Sequence, residues 1–372
     1  MITFTPASSA NCAGAFGACN KNTTFVPSNH DIIQRFNSFT LNWWQQNSFF
    51  QYPAMLCSAF YGIKDCWNYR EHYNIPKDVL LVADSGGFEQ LTQNTRIEAL
   101  DVLKWQENNA DVGFVLDVPP LNPVTLGPLD DFSLFTKCAE TTKRNAEIAL
   151  RNRTNDKMKL YYVIQGSNRK ELSHWIDRVD LTVFDGVALS FKPPNDPLQI
   201  ALLSSFTNEK QIANIHILLG TGHNVVPIII YVSKYFRSLT FDSSSYGKGA
   251  RTMTYDLPFR LQTQFGRAYN NKLKILPCNC PVCSNLTIND FQRGDSVSGA
   301  LISLHNLYLY IQHVEFLKAI VEDEELFLNY IKKACSPKTL EAYEYLKLYE
   351  EKGFDVAYKK YFAKSNLGEW FG

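Results

Sequence analysis

Two groups of side chains in this sequence have the types and spacing for chemistry. The first is a set of polar groups that follow short apolar runs. Asp84 opens Asp84-Ser85-Gly86-Gly87-Phe88, Asp117 opens Asp117-Val118-Pro119-Pro120, and Asp242 opens Asp242-Ser243-Ser244-Ser245-Tyr246. Gln165 holds the same place in Gln165-Gly166-Ser167, and the run that starts at Gly186 closes on Ser190. Small residues beside each group let a ligand approach the backbone. One aspartate after a strand is ordinarily a helix N-cap. Three in register, with a glutamine, favour convergence on one pocket. Two carboxylates in one pocket suit acid/base work combined with a nucleophile. His223, after Gly220-Thr221-Gly222, either meets a ligand or caps the next helix.

The second group is Cys278-Asn279-Cys280-Pro281-Val282-Cys283, with His305 following on a helical stretch. Three thiolates and one imidazole make a closed tetrahedral zinc site. A disulfide between Cys278 and Cys280 would be strained. The alternative is three buried thiols and a satisfied core histidine. A closed four-ligand site leaves no open position, so its metal is structural and the chemistry belongs to the acids.

The elements that must position these groups alternate. Apolar runs at 54–60, 79–83, 112–116, 159–164, 186–189, 215–219 and 239–241 read as strands, with 274–276 as an eighth. Helical spacing appears at 96–108, 131–152, 169–179, 197–205 and 225–236. Strand alternating with helix indicates βαβ units and a parallel sheet. Eight units in about 250 residues suit a (β/α)8 TIM barrel, whose functional groups sit at the C-terminal ends of the strands. No Gly-x-Gly-x-x-Gly follows the first strand and no phosphate-binding Gly-Lys-Ser/Thr occurs, so nucleotide-cofactor folds lose ground. The reading is one domain over 1–372: barrel about 54–277, zinc-binding subdomain about 278–315, C-terminal helices about 316–372. The first 50 residues carry few periodic signals, and Asn42-Trp43-Trp44-Gln45-Gln46 fits either a helix or a surface loop.

Bulk properties narrow the class. The chain has 372 residues, 45% of them hydrophobic, with 37 basic and 37 acidic side chains and no net charge. That excludes an evenly basic nucleic-acid coat but not a local patch. Lys248, Arg251, Arg260 and Arg267, after Asp242, either contact phosphates or form a solvated face. No run of 18 apolar residues predicts a membrane span. No basic-then-apolar leader opens the chain, so the scattered cysteines at 12, 19, 57, 66, 138 and 335 are expected to be reduced thiols of a cytoplasmic protein.

In these motifs the chain resembles the tRNA-guanine transglycosylase superfamily. The matching stretches are Asp84-Ser85-Gly86-Gly87-Phe88, Val163-Ile164-Gln165-Gly166, Leu219-Gly220-Thr221-Gly222-His223, Phe241-Asp242-Ser243, and the Cys278, Cys280, Cys283, His305 set followed by Asn306-Leu307. The family fold is a (β/α)8 barrel with a zinc-binding insertion. The resemblance implies that Asp242 is the nucleophile that attacks C1′ of a guanosine, and that Asp84 is the general acid/base. It also implies that Asp117 and Gln165 bond the purine edge beside backbone groups near Gly186 and Gly220. Ser85 and Phe88 complete the base site. A free 7-deazaguanine then takes the place of guanine, and the target base must leave its stack to react.

Some residues depart from the pattern. Ser243-Ser244-Ser245-Tyr246 stands where bacterial members carry Pro-Thr-Arg, and Glu89 stands where the family usually has Gln. With no recognisable RNA-binding appendix after the zinc helix, the sequence looks most like the branch that inserts 7-deazaguanines into DNA, with a possible protein partner to open the duplex. Val187-Ala188 resembles members that take the 7-cyano base. A tRNA enzyme of archaeal type is the second expectation. A non-catalytic partner subunit is the third, and retention of both Asp84 and Asp242 argues against it. A generic barrel hydrolase leaves the cysteines unexplained.

Overall fold

The computed structural model describes residues 1–7, 35, 40–65, 67–190, 196–218, 222, 224–247, 253–257, 262–264 and 275–362. Gly220, His223, Lys248, Arg251, Arg260, Arg267, Cys12, Cys19 and Cys66 lie outside the described residues.

Eight parallel strands build one sheet: β1 (Ile2–Pro6), β2 (Ala54–Ser58), β3 (Leu80–Asp84), β4 (Val112–Phe114), β5 (Lys159–Gln165), β6 (Gly186–Ser190), β7 (Asn214–Ile217) and β8 (Ser238–Ser243). Their order is β1-β8-β7-β6-β5-β4-β3-β2. A parallel bridge between Ala7 and Leu56 joins the two edges and all but closes the barrel. The (β/α)8 reading therefore holds, with one correction. The run at 274–276 is not the eighth strand, because Ile275 and Leu276 lie outside any strand. The missing strand is β1, pairing with β8 from Ile2↔Leu239 to Pro6↔Ser243. The barrel thus starts at Ile2, not near residue 54.

Alternation along the strands explains what faces the axis. Side chains of a strand point to opposite faces in turn. Leu56, Val82, Val112, Phe114, Tyr161, Val163, Ala188 and Leu218 form an inner cluster. Their neighbours Met55, Leu81, Leu160, Tyr162, Val187 and Ile215 pack outward in the main core under the helices. The same period-2 count carries Ser58, Asp84, Gln165, Ser190 and Asp242 inward at the C-terminal ends of their strands.

The helical layer comprises α1 (Ala59–Asp65), α2 (Tyr69–His72), α3 (Gly87–Thr92), α4 (Ala99–Asn109), α5 (Phe132–Asn152), α6 (Arg169–Ile176), α7 (Pro197–Glu209) and α8 (Val226–Val232). Asp131, Asn168 and Asp196 cap α5, α6 and α7 by accepting from backbone N–H groups, as short polar side chains at N-caps do. A small hairpin follows, β9 (Thr254–Asp256) antiparallel to β10 (Gln262–Gln264). Then come α9 (Ile288–Gln292), α10 (Ser296–Ile320), α11 (Glu324–Ala334), α12 (Pro337–Lys352) and α13 (Phe354–Tyr361). Trp43 and Trp44 belong to a turn-rich segment, not a helix, and both are buried. Their rings meet edge to face at 4.8 Å, and their indole N–H groups donate to the carbonyls of Ala54 and Tyr73. No helix among the described residues is long and apolar enough to cross a membrane.

Candidate active site

The C-terminal ends of the strands enclose a cavity of about 200 Å³ lined by Asp84, Phe88, Glu89, Asp117, Gln165 and Asp242, among others. That is below the ~300–1,000 Å³ typical of drug-sized ligands and suits a flat ring system. Ser190 at the end of β6 and Ser58 at the end of β2 also face it.

Asp117 anchors one wall. It follows β4, is buried, and accepts from Ser85 Oγ at 2.8 Å through Oδ1 and from Gln165 Nε2 at 2.6 Å through Oδ2. Ser85 Oγ accepts in turn from Gly87 N at 3.2 Å. The paired glycines make this approach feasible. A Cβ on Gly87 would stand 2.4 Å from the Asp117 carbonyl oxygen, and Gly86 turns the chain at φ +86° against Phe60. Asp-Ser-Gly-Gly-Phe is therefore a folding instruction: strand end, left-handed turn, and a helix start pressed on Asp117.

Three carboxyl groups in this corner resist ionisation. Burial pushes Asp84 well above the usual carboxylate range, and the charges of Glu89, Asp117 and Asp242 push the same way. Burial raises Glu89 and Asp117 too; hydrogen bonds from Ser85 and Gln165 offset part of the rise at Asp117. A carboxyl that holds its proton more tightly than usual is equipped to act as a general acid. The Oε2 atom of Glu89 and the hydroxyl of Ser58 are buried without a hydrogen-bond partner. Both line the cavity, so both are set to receive a ligand.

Asp242 is buried at the end of β8. Its Oδ1 lies 3.2 Å from Nε2 of His216, an inward residue of β7 that the sequence reading missed. The signal was present: Ile215-His216-Ile217 puts two outward isoleucines around an inward imidazole. Its partners were not readable, since Thr240 and Asp242 meet it only through the register of β7 on β8. On the outer side of β8, Tyr310 of α10 hydrogen-bonds Ser243, and burial holds its hydroxyl far above the ordinary tyrosine range.

Of the other expected base-site residues, Phe88 lines the cavity and Ser85 acts through Asp117. Gly186 does not line it. It opens β6 at the N-terminal end, where a Cβ would meet the Tyr161 ring at 2.8 Å. Ser190, at the other end of the strand, occupies the cavity wall instead.

Beside the barrel, Cys278, Cys280, Cys283 and His305 present ligand atoms all within 4.8 Å of one another. His305 Nδ1 lies 3.3 Å from both the Cys280 and Cys283 sulfurs, and Nε2–H donates to the Asp256 carbonyl at 2.6 Å. A backbone acceptor on the far ring nitrogen is the usual way to orient a ligating histidine. Tyr255 stacks on the imidazole at 3.8 Å. Without a cation the thiols cannot ionise together. Hydrogen bonding to Cys283 pulls Cys280 down to about 4, and the same bond pushes Cys283 above the usual thiol range. Crowded soft donors of this kind fit one metal ion. Asn306 then clamps β9, accepting from Asp256 N at 2.9 Å and donating to the Thr254 carbonyl at 3.0 Å.

A parallel barrel with acids at its C-terminal strand ends defines a barrel-enzyme type of site. No family model matches the chain. Its sequence is similar to the tRNA-guanine(15) transglycosylase of Methanococcus aeolicus, 28% identical over 309 residues, covering 78% of this chain and 45% of the relative. The Methanocaldococcus jannaschii protein of that name is 27% identical over 310 residues, covering 78% and 44%. That of Sulfolobus acidocaldarius is 26% identical over 281 residues, covering 71% and 53%. The chain spans about half the length of these curated relatives. The likeness supports kinship with the tRNA-guanine transglycosylase superfamily.

Proposed function

We propose that this protein is a base-exchange glycosyltransferase that replaces guanine in a polynucleotide with a 7-deazaguanine. The observation that carries the reading is that Asp242 and Asp84 face one base-sized cavity, with the Asp117–Gln165 pair fixed on its wall. Asp242 is the nucleophile. Its carboxylate forms a bond to C1′ as the C1′–N9 bond breaks, and the departing guanine keeps the electron pair and receives a proton from Asp84. The sugar is then held as a glycosyl ester, the covalent logic of carboxylate nucleophiles. Asp84, now a carboxylate, takes the N9 proton of the incoming base. N9 attacks C1′, the ester bond breaks, and Asp242 is restored. Asp117 and Gln165 hold the purine edge, and Phe88 packs on the ring. Gly220, expected at the same site, is part of the proposal on its sequence match alone.

Three thiolates with one imidazole fit zinc best among common metals, held by Cys278, Cys280, Cys283 and His305. The ion would serve the fold, not the reaction. Cys57 and Cys138, which form no disulfide, are in keeping with a reducing compartment, the cytoplasm.

Two polynucleotides are candidate substrates. The names of the relatives support guanine in tRNA. The DNA reading is supported by Ser243-Ser244-Ser245-Tyr246 following Asp242 where bacterial tRNA enzymes carry Pro-Thr-Arg, and the 7-cyano base by Val187-Ala188. A partner that opens a duplex belongs to the DNA reading. One experiment separates them: labelled guanine offered with tRNA, duplex DNA, single-stranded DNA and bubble DNA. Exchange into tRNA alone establishes the tRNA reading; exchange into any DNA form establishes the other. Incorporation into none of them, or into any of them by Asp242→Ala, overturns the proposal.

A further inference from the structure

The exchange reaction assigns no task to His216, yet the residue is fully buried and makes two directed contacts. Nδ1 lies 2.8 Å from Thr240 Oγ1, and Nε2 lies 3.2 Å from Asp242 Oδ1. The β7–β8 register sets this up, pairing His216 with Thr240 and making Asp242 the next inward residue along β8. The Phe114 ring lies 4.8 Å away and limits tilting of the imidazole.

The contacts fix the proton. A bare nitrogen facing a carboxylate oxygen at 3.2 Å would set two acceptors against each other. Nε2 therefore carries a hydrogen and donates it to Asp242. Nδ1 accepts from the Thr240 hydroxyl, the partner that holds the tautomer.

We propose that His216 is a positioning residue for Asp242, holding Oδ1 through Nε2–H so that the bond to C1′ forms through Oδ2. The inference rests on Asp242 being the nucleophile. In the glycosyl ester Oδ1 is a neutral carbonyl oxygen. When the incoming base attacks C1′, the C1′–Oδ2 bond breaks and negative charge returns to the carboxyl group. A hydrogen bond to a charged acceptor is stronger than one to a neutral acceptor. The His216 bond therefore strengthens as the ester is discharged, and the second half-reaction gains most from it.

Full-length His216→Phe and His216→Gln proteins test this, with rapid-quench measurement of the covalent adduct on the exchanging polynucleotide and chase by free guanine. The phenyl ring keeps the packing and loses the donor; the amide keeps a donor. His216→Phe is expected to discharge its adduct about 10- to 100-fold more slowly than the native protein, about tenfold for each 1.4 kcal/mol of lost stabilisation. Its adduct should accumulate at steady state, with metal content and melting temperature retained. His216→Gln should discharge within about threefold of the native rate, because a donor is restored. Native discharge by folded His216→Phe overturns the inference. If His216→Phe does not fold, Thr240→Val decides, since it frees the tautomer while leaving the ring in place; slower discharge supports the inference and a native rate overturns it. A native protein that forms no adduct at all fails at the step below, the nucleophile itself, and this inference falls with it.

Discussion

At the scale of single residues, the site stores its function as instability. Asp84, Glu89 and Asp117 all titrate above their ordinary values because they are buried, and Asp84 also because of its acidic neighbours. Each holds a proton in the folded state that the unfolded chain has released. The folded state therefore binds more protons between the unfolded pKa of about 4 and the raised folded value, and stability falls as pH rises through that window. Native protein should melt at progressively lower temperature from pH 4 toward neutrality in calorimetry. Asp84→Asn removes the largest of these penalties. It should raise Tm at pH 7 by about 1–3 °C, since ~1 kcal/mol moves a chain of this size by roughly 1 °C, and flatten that slope. The same change should cost about 10²–10⁴-fold in guanine exchange, the usual worth of a general acid. A lower Tm at pH 7 for the asparagine variant would contradict the burial argument. Asp84, Asp117, Gln165 and Asp242 were legible in the sequence because each follows a short apolar run. His216 was not, because a lone histidine between isoleucines acquires meaning only from the neighbouring strand.

Elements repeat that lesson with longer range. Short apolar runs announced seven of the barrel strands. Strand β1 escaped notice because Ile2-Thr3-Phe4-Thr5-Pro6 alternates with threonines and stands far from its partner β8 in sequence. The tail run at 274–276 was recruited in its place to complete eight. Phe4 shows what β1 contributes. Its ring meets Phe241 at 5.3 Å and Tyr310 at 4.6 Å, and its carbonyl accepts from the Tyr52 hydroxyl at 3.0 Å. Phe4→Ala should lower the unfolding free energy by about 3–5 kcal/mol in denaturant titration, as truncation of a buried phenylalanine does. A change below ~1 kcal/mol would mean that barrel closure does not depend on β1. Helix α10 links the same region to the metal cluster. It carries His305, then Asn306 against β9, then Tyr310 against Ser243 beside Asp242. Cys280→Ser, or chelation, should therefore depress exchange at temperatures below the onset of global melting and should lower Tm, because metal binding and folding of such sites are coupled. Metal content and activity followed together during chelation check this; full activity in metal-free protein would break the link.

On the scale of the whole molecule, the C-terminal helices complete the core. Helix α7 is buried along nearly its full length, as a helix apolar on all sides must be, and α12 covers its outer face. Tyr345 and Ser205 share a buried hydroxyl contact at 2.8 Å, and the Tyr349 hydroxyl accepts from Asn208 at 2.7 Å and donates to Glu209 at 2.9 Å. Glu350 of α12 accepts from the Tyr231 and Tyr235 hydroxyls and pairs with Lys234 at 2.7 Å. These partners tie the tail to α7 and to α8 with the turn after it. The sequence showed amphipathic helices there but not which face of the barrel they cover, since that depends on contacts more than 100 residues apart. Removal of residues 336–372 would strip α12 and α13 from α7 and uncover its apolar outer face, including Phe206, whose ring meets Phe354 at 5.6 Å. Large exposed apolar patches drive association. The truncated chain is expected to elute as aggregate in size-exclusion chromatography and to lose the cooperative melt of the full chain. Tyr345→Phe, which keeps the ring and leaves Ser205 its bond to the Leu202 carbonyl, should cost only about 0.5–1.5 kcal/mol and keep the normal elution volume. A truncated chain that stays monodisperse with native exchange activity would show that the tail is an appendage, against the packing of α12 on α7.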